Sequence, residues 1–143
     1  ILGKNPMIKI EKRGFGFKIT FSGILKSSFV SEIREKLFIL LSTNNNPCSL
    51  YMDFQNTRYV SQEVIDEIIF LRKFFQKGYL LRTTIILKKR GDEIIFRNLR
   101  IPFDKNERVI YSNENYNYEI DGINWLTREI EPDPKIYKKV KAV

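Results

Sequence analysis

The sequence predicts an α/β domain built on a mixed, mostly parallel β-sheet, with an N-terminal hairpin and about four helices. Three observations carry that reading. After two alternating segments, helical and extended patterns succeed one another as helix, strand, helix, strand, helix, strand, an order that calls for right-handed crossovers and parallel pairing. The segment "CSLYMDF" (48–54) is apolar almost throughout, as in a strand covered on both faces. Residues 61–78 carry both the start and the stop signals of a long helix.

Taken in order, residues 1–7 (ILGKNPM) read as a leader or a remnant of expression, 8–115 as the folded domain, and 116–143 as a C-terminal extension with a short helix and a basic tail. "IKIEKRG" and "GFKITFSG" alternate apolar and polar residues and join across Gly14, Phe15 and Gly16, which predicts a hairpin. The lone G-x-G is read as a turn, since no helix follows it to make a phosphate loop. From Ser28 the period changes: Val30, Ile33, Leu37, Leu40 and Leu41 share a helical face, Ser28 is the predicted N-cap, and Glu32 and Glu35 complement the positive end. That helix ends before "TNNNP". Cys48 to Phe54 then makes a short strand that ends at Asp53 and gives way to a polar turn.

Ser61 is the predicted cap of the second helix. Glu63, Asp66 and Glu67 stand in its early turns, Arg72, Lys73 and Lys77 late, and Gly78 supplies the stop. Its apolar stripe is Val64, Ile65, Ile68, Ile69, Leu71, Phe74 and Phe75. "LLRTTIIL" (80–87) reads as a strand, "GDEIIFRNL" (91–99) as a short helix, and "RVIYS" (108–112) as the last strand, with Pro102 between the latter two. "INWLTREI" (123–130) predicts a further short helix anchored by Trp125 and Leu126.

Composition narrows the chemistry. A chain of 143 residues, 43% of them hydrophobic, with 11 Phe and 7 Tyr, buries one good core. There is no histidine, so Ser-His-Asp and Cys-His mechanisms and histidine-ligated metals are excluded. The single cysteine, Cys48, rules out an internal disulfide and a cysteine metal cluster, and its apolar setting predicts a core thiol. No apolar run approaches the length of a bilayer span, and a cytoplasmic location is expected. No cofactor or metal site is predicted. The 25 Lys and Arg outnumber the 17 Asp and Glu, giving a net charge of +8. The clusters "KKR" (88–90) and "KKVK" (138–141) are short and separated, without interleaved stacking aromatics, so solvated basic surface is favoured over nucleic-acid binding. Asp53, at the end of a buried strand, stands where ligands often bind in open α/β sheets. With no second acid, histidine or glycine-rich loop beside it in sequence, it reads as a turn-fixing residue, and no enzyme activity is expected.

The segments "GILKSSFVSEIREKLFILL", "CSLYMDFQNTRYVSQEVIDEIIFLRKFFQKG" and "LRTTIIL" together resemble the STAS domains, named for sulfate transporters and anti-sigma factor antagonists. The resemblance covers roughly residues 8–112 and rests on the order of Gly23, Asp53-Phe54, Tyr59-Val60 and Gly78. It implies a STAS-like fold and a bacterial signalling or regulatory module that binds proteins and catalyses nothing. Its partner would be a serine kinase or anti-sigma factor of the histidine-kinase-like ATPase type, a stressosome assembly, a transporter subunit, or a phospholipid-transport ATPase. The family's helix start carries an Asp, two small hydroxyl residues and a glycine; here those places hold Ser61, Gln62, Glu63 and Val64. Neither Gln62 nor Glu63 accepts a phosphoryl group, and Ser61 becomes the candidate phosphorylation site. The Asp66-Glu67 pair resembles a STAS-like branch. The docking surface so implied is residues 56–67, with Asn56, Tyr59, Ser61, Gln62, Glu63 and Asp66 as partner-binding residues. Glu63 has two readings: a fixed negative charge in place of a phosphate, or an ordinary acid in a first helical turn. The alternative function is a basic module for nucleic acid or a nucleotide.

Overall fold

The computed structural model describes residues 7–42, 46–76, 80–92 and 105–132. β1 (Met7–Arg13) and β2 (Gly16–Leu25) form the antiparallel hairpin, in register from Met7 opposite Ser22 to Arg13 opposite Gly16. β3 (Cys48–Val60), β4 (Leu80–Leu87) and β5 (Glu107–Tyr111) follow in parallel, so the sheet runs β1-β2-β3-β4-β5. The helices are α1 (Val30–Ser42), α2 (Gln62–Gln76) and α3 (Tyr118–Arg128). The mixed α/β architecture expected from the alternating patterns is therefore present, with three α-helices among the described residues. The expected helix at 91–99 lies outside them apart from a 3-10 turn at Arg90–Asp92, as do Gly78, the leader before Met7 and the tail from 133.

α1 and α2 cover one face of the sheet. Ile33 and Leu37 of α1, with Val64, Ile65, Ile68 and Leu71 of α2, pack on Phe17, Ile19, Phe21, Leu50, Met52, Phe54, Ile85 and Leu87. Phe21 and Phe54 stack in parallel, ring centroids 4.5 Å apart, which ties the neighbouring strands β2 and β3 at the centre of the core. Cys48 is buried there, as its apolar setting predicts. α3 covers the other face, where Trp125 and Leu126 pack on Tyr51, Ile86 and Ile110. Because β3 is sandwiched between the two layers, its residues 48–54 carry no polar alternation.

Three expectations need correction. Ser28 does not cap α1: it lies inside a 3-10 turn, Ser27–Phe29, whose N-cap residue is Lys26, and α1 begins at Val30. β3 does not stop at Asp53 but continues to Val60, and α3 starts at Tyr118, five residues before the predicted helix.

Two glycines fix how the layers meet. Gly16 has φ +142, and a Cβ on it would lie 2.1 Å from the Ser49 carbonyl oxygen. At Gly122 a Cβ would stand 2.8 Å from Thr84 Cγ2 and 2.9 Å from the Tyr51 ring. α3 thus rests directly on the sheet, and the Thr84 hydroxyl donates to the Gly122 carbonyl at 2.8 Å.

Candidate functional site

The site is built where β2 and β3 run out together above α2. Ser22, Gly23, Ile24 and Leu25 pair with Asn56, Thr57, Tyr59 and Val60, with register shifts between Thr20 and Ser22 and between Gly23 and Ile24. Each shift inserts one extra residue on the β3 side, which bends and twists the strand. Gly23, at φ +82, sits at the second shift. Asp53 secures the first: Oδ1 accepts the Gln55 backbone N–H at 2.9 Å and Oδ2 accepts the Gln55 side-chain amide at 3.0 Å. Asp53 is 8% exposed, and its carboxylate serves the backbone two residues on, at a bulge within β3 in place of the expected turn.

Ser61 then ends the strand and starts the helix. Its N–H donates to the Leu25 carbonyl at 2.9 Å, its carbonyl accepts from Ile65, and its hydroxyl accepts the Val64 N–H at 3.3 Å. This is the predicted N-cap. The serine is buried, and its hydroxyl points into the first turn of α2, so a phosphoryl group there would displace the cap.

The other predicted site residues face outward. Asn56, Gln62, Glu63 and Asp66 are exposed; Gln62 Nε2 donates to Asp66 Oδ1 at 2.8 Å across one helical turn. Tyr59 is 54% exposed and pairs across the strands with Ile24, which is 41% exposed. Val60, one residue on, turns inward and joins the core. Sequence reasoning missed Ile24, because its contribution depends on the β2–β3 register.

A second missed feature holds the helix start in place. Arg34 of α1 grips Glu67 of α2 with two hydrogen bonds, Nε to Oε2 at 3.1 Å and Nη2 to Oε1 at 2.6 Å. Glu67 is 4% exposed, and the bidentate fork supplies the pairing a buried carboxylate needs. The glutamate beside Asp66 is thus an interhelical clamp, whereas Asp66 itself is surface.

On the α3 side, Gln55 Nε2 also donates to the Tyr118 hydroxyl at 3.2 Å, linking the base of the site to the start of α3. Tyr51 lies below, almost completely buried, and its hydroxyl meets no hydrogen-bond partner among the described residues. Burial foremost, and then the negative charges of Asp53 and Glu119, push its ionisation well above the ordinary tyrosine range. Tyr51→Phe is therefore expected to leave stability unchanged or raise it by up to about 1 kcal/mol, since an unpaired buried hydroxyl is removed while the ring stays. Equilibrium urea unfolding measures this; a loss of stability would reveal a bond to that hydroxyl.

Several lysines and arginines are paired locally, which leaves the net charge of +8 unchanged. Arg13 and Lys9 meet Glu11, Lys18 meets Glu119, Lys36 meets Glu32, Arg90 meets Glu114, and Arg108 meets Glu131. Among the described residues no group of His, Cys, Asp and Glu is arranged to hold a metal ion, and no helix is long and apolar enough to cross a membrane.

A hairpin leading into parallel strands, with two helices on one face of the sheet, a third on the other, and a capped helix start beside the β2 and β3 ends, defines the class: the chain has the SpoIIAA-like fold, that of STAS domains. Among solved structures seven chains match it. One is the crystal structure of an uncharacterized protein of the DUF3478 family with a SpoIIAA-like fold from Shewanella loihica PV-4, similar with a TM-score of 0.57 at 17% identity over 85% of this chain and 94% of that one. At that identity the likeness is one of fold. No protein-family profile matches the chain, and no curated protein matches it by sequence.

Proposed function

We propose that this chain is a non-enzymatic protein-interaction module, resembling an anti-sigma factor antagonist, that docks its partner through the start of α2 and the strand ends before it. The observation that carries the reading is the outward Ile24–Tyr59 pair, set beside the exposed Gln62, Glu63 and Asp66 on a backbone pinned by Asp53, the Ser61 cap and the Arg34–Glu67 clamp. An apolar centre with an acidic and amide rim on a rigid support is the make-up of a protein contact. Asn56 lies at the rim, and Ser61 supports from beneath. Gln62 and Glu63 occupy the places where relatives carry phosphate acceptors, so in this chain a permanent charge replaces a switchable one. The partner classes this fits are a serine kinase or anti-sigma factor of the histidine-kinase-like ATPase type and a transporter subunit, met on the cytoplasmic side. The basic clusters are short, separated and without interleaved stacking aromatics, which favours this over the alternative, a basic module for nucleic acid or a nucleotide.

Affinity capture from the native lysate tests it, with wild type beside Glu63→Lys and Tyr59→Ala, and with proteins and nucleic acid both identified. Wild type should retain an ATPase of the kinase type or a transporter subunit, and each variant should weaken that binding roughly tenfold or more, as loss of a central interface residue does. Nucleic acid recovered equally by all three, with affinity falling steeply in salt, would instead assign the function to the basic surface.

A further inference from the structure

The outer edge of β1 is built to pair with itself. Among the described residues β1 has a strand on one side only. The two-residue turn at Gly14 and Phe15 closes on the pair Arg13–Gly16, which is necessarily a hydrogen-bonded pair, and the alternation of an antiparallel ladder then fixes the rest. Met7, Lys9, Glu11 and Arg13 direct their backbone groups to β2. Ile8, Ile10 and Lys12 direct theirs outward.

We propose that β1 joins β1 of a second copy antiparallel across a two-fold axis at Ile10, making one continuous sheet through a homodimer. In that register Ile10 exchanges both backbone hydrogen bonds with the partner's Ile10, and Ile8 does so with the partner's Lys12. The rows between place Lys9 opposite the partner's Glu11, and Glu11 opposite the partner's Lys9. Lysines on an edge strand usually oppose such pairing; here Lys9 meets a carboxylate, and Lys12 lays its aliphatic stem over the partner's Ile8. Charge also selects the register. An axis at Lys9 sets that lysine against itself, and one at Glu11 sets two carboxylates together and Lys9 against Arg13. An axis at Lys12 pairs Glu11 with the partner's Arg13 on both sides but sets Lys12 against itself, so the axis at Ile10 alone pairs opposite charges on both sides without bringing like charges together.

The apolar surface agrees with this placement. A groove of about 370 Å³ runs along β1 under α1, lined by Ile8, Ile10, Lys36, Ile39 and Leu40, and Ile39 is 58% exposed. Pairing at Ile10 sets the two grooves side by side over the joined strands, so each copy helps to cover the other's apolar wall. Such an isologous contact closes on itself and stops at two copies.

Sedimentation equilibrium on the full chain reads the mass directly. Wild type should show a concentration-dependent dimer, and Lys9→Glu, which sets like charges opposite one another twice, should raise the dissociation constant roughly tenfold or more. The double exchange Lys9→Glu/Glu11→Lys restores opposite charges and should restore the dimer. Lys9→Cys/Glu11→Cys should form a disulfide-linked dimer on mild oxidation, because the Cα atoms of a non-hydrogen-bonded antiparallel pair stand about 4.5 Å apart with their side chains close, within disulfide reach. Circular dichroism confirms that each variant is folded. A wild type that stays monomeric to high micromolar concentration overturns the proposal, as does a dimer indifferent to Lys9→Glu, one not restored by the exchange, or one that Lys9→Cys/Glu11→Cys fails to link.

Discussion

Gly16→Ala is expected to destabilise the fold by about 3 kcal/mol or more, a large share of what holds a domain of this size together. Two effects combine. The backbone at φ +142 is a conformation alanine rarely adopts, and the new methyl would lie 2.1 Å from the Ser49 carbonyl oxygen and 2.8 Å from its nitrogen. These are backbone atoms of the neighbouring strand, so no side chain can swing aside. Relief requires moving β2 away from β3 where their pairing begins, at Gly16 opposite Ser49, beside the bond from the Ser49 N–H to the Phe15 carbonyl. Gly14, two residues earlier in the same hairpin, is the internal control: a Cβ there meets nothing within 4 Å, and Gly14→Ala should change stability by no more than about 0.5 kcal/mol. Urea midpoints of both variants against wild type decide it. Equal, small shifts would mean that β2 and β3 separate at their ends at little cost.

The contrast between those glycines shows what a sequence conveys and what it withholds. Both read as turn residues, and the hairpin followed from alternation around them; only the parallel neighbour β3, distant in sequence, makes one indispensable. β4 was legible to its ends, since "LLRTTIIL" is an interior strand, and the Ser61 cap was legible because capping is local. The continuation of β3 past Asp53 was not. Pairing with β4 ends at Asp53 opposite Ile86, while pairing with β2 runs on to Val60. Beyond Asp53 the strand has one neighbour among the described residues, needs no continuous apolar run, and so "QNTRYV" reads as a turn. The proposed docking surface draws on both kinds of information: Tyr59, Gln62, Glu63 and Asp66 come from the chain order, whereas Ile24 and the Arg34–Glu67 clamp come from register and helix packing. The start of α3 was hidden by Gly122, a poor helix residue whose place is explained only by the Tyr51 ring and Thr84 beneath it.

Trp125→Ala tests whether α3 and the sheet stand or fall together, and should lower stability by about 3–5 kcal/mol, the usual cost of truncating a buried aromatic. The indole is packed against Tyr51, Ile86 and Ile110, with its N–H donated to the Asn106 carbonyl at 3.2 Å. The Arg108 guanidinium lies 3.9 Å from the ring centroid and that of Arg82 6.0 Å, and Arg82 also donates two bonds to the Leu126 carbonyl near the helix end. Removing the indole therefore releases the stacking and the helix end together, and uncovers Tyr51 on the central strand. If α3 is integral, the variant unfolds in one transition with a lower midpoint, and amides of β3 and β4 lose hydrogen-exchange protection to the same extent as those of α3. If residues from 116 onward are an appended extension, α3 melts alone and the sheet's midpoint stays where it was. The first outcome is expected, because Trp125 and Leu126 of α3 share one buried cluster with Tyr51, Ile86 and Ile110 of the sheet. It would also reach the proposed docking surface, since Gln55, which is bonded to Asp53, takes part of its support from Tyr118 at the start of α3.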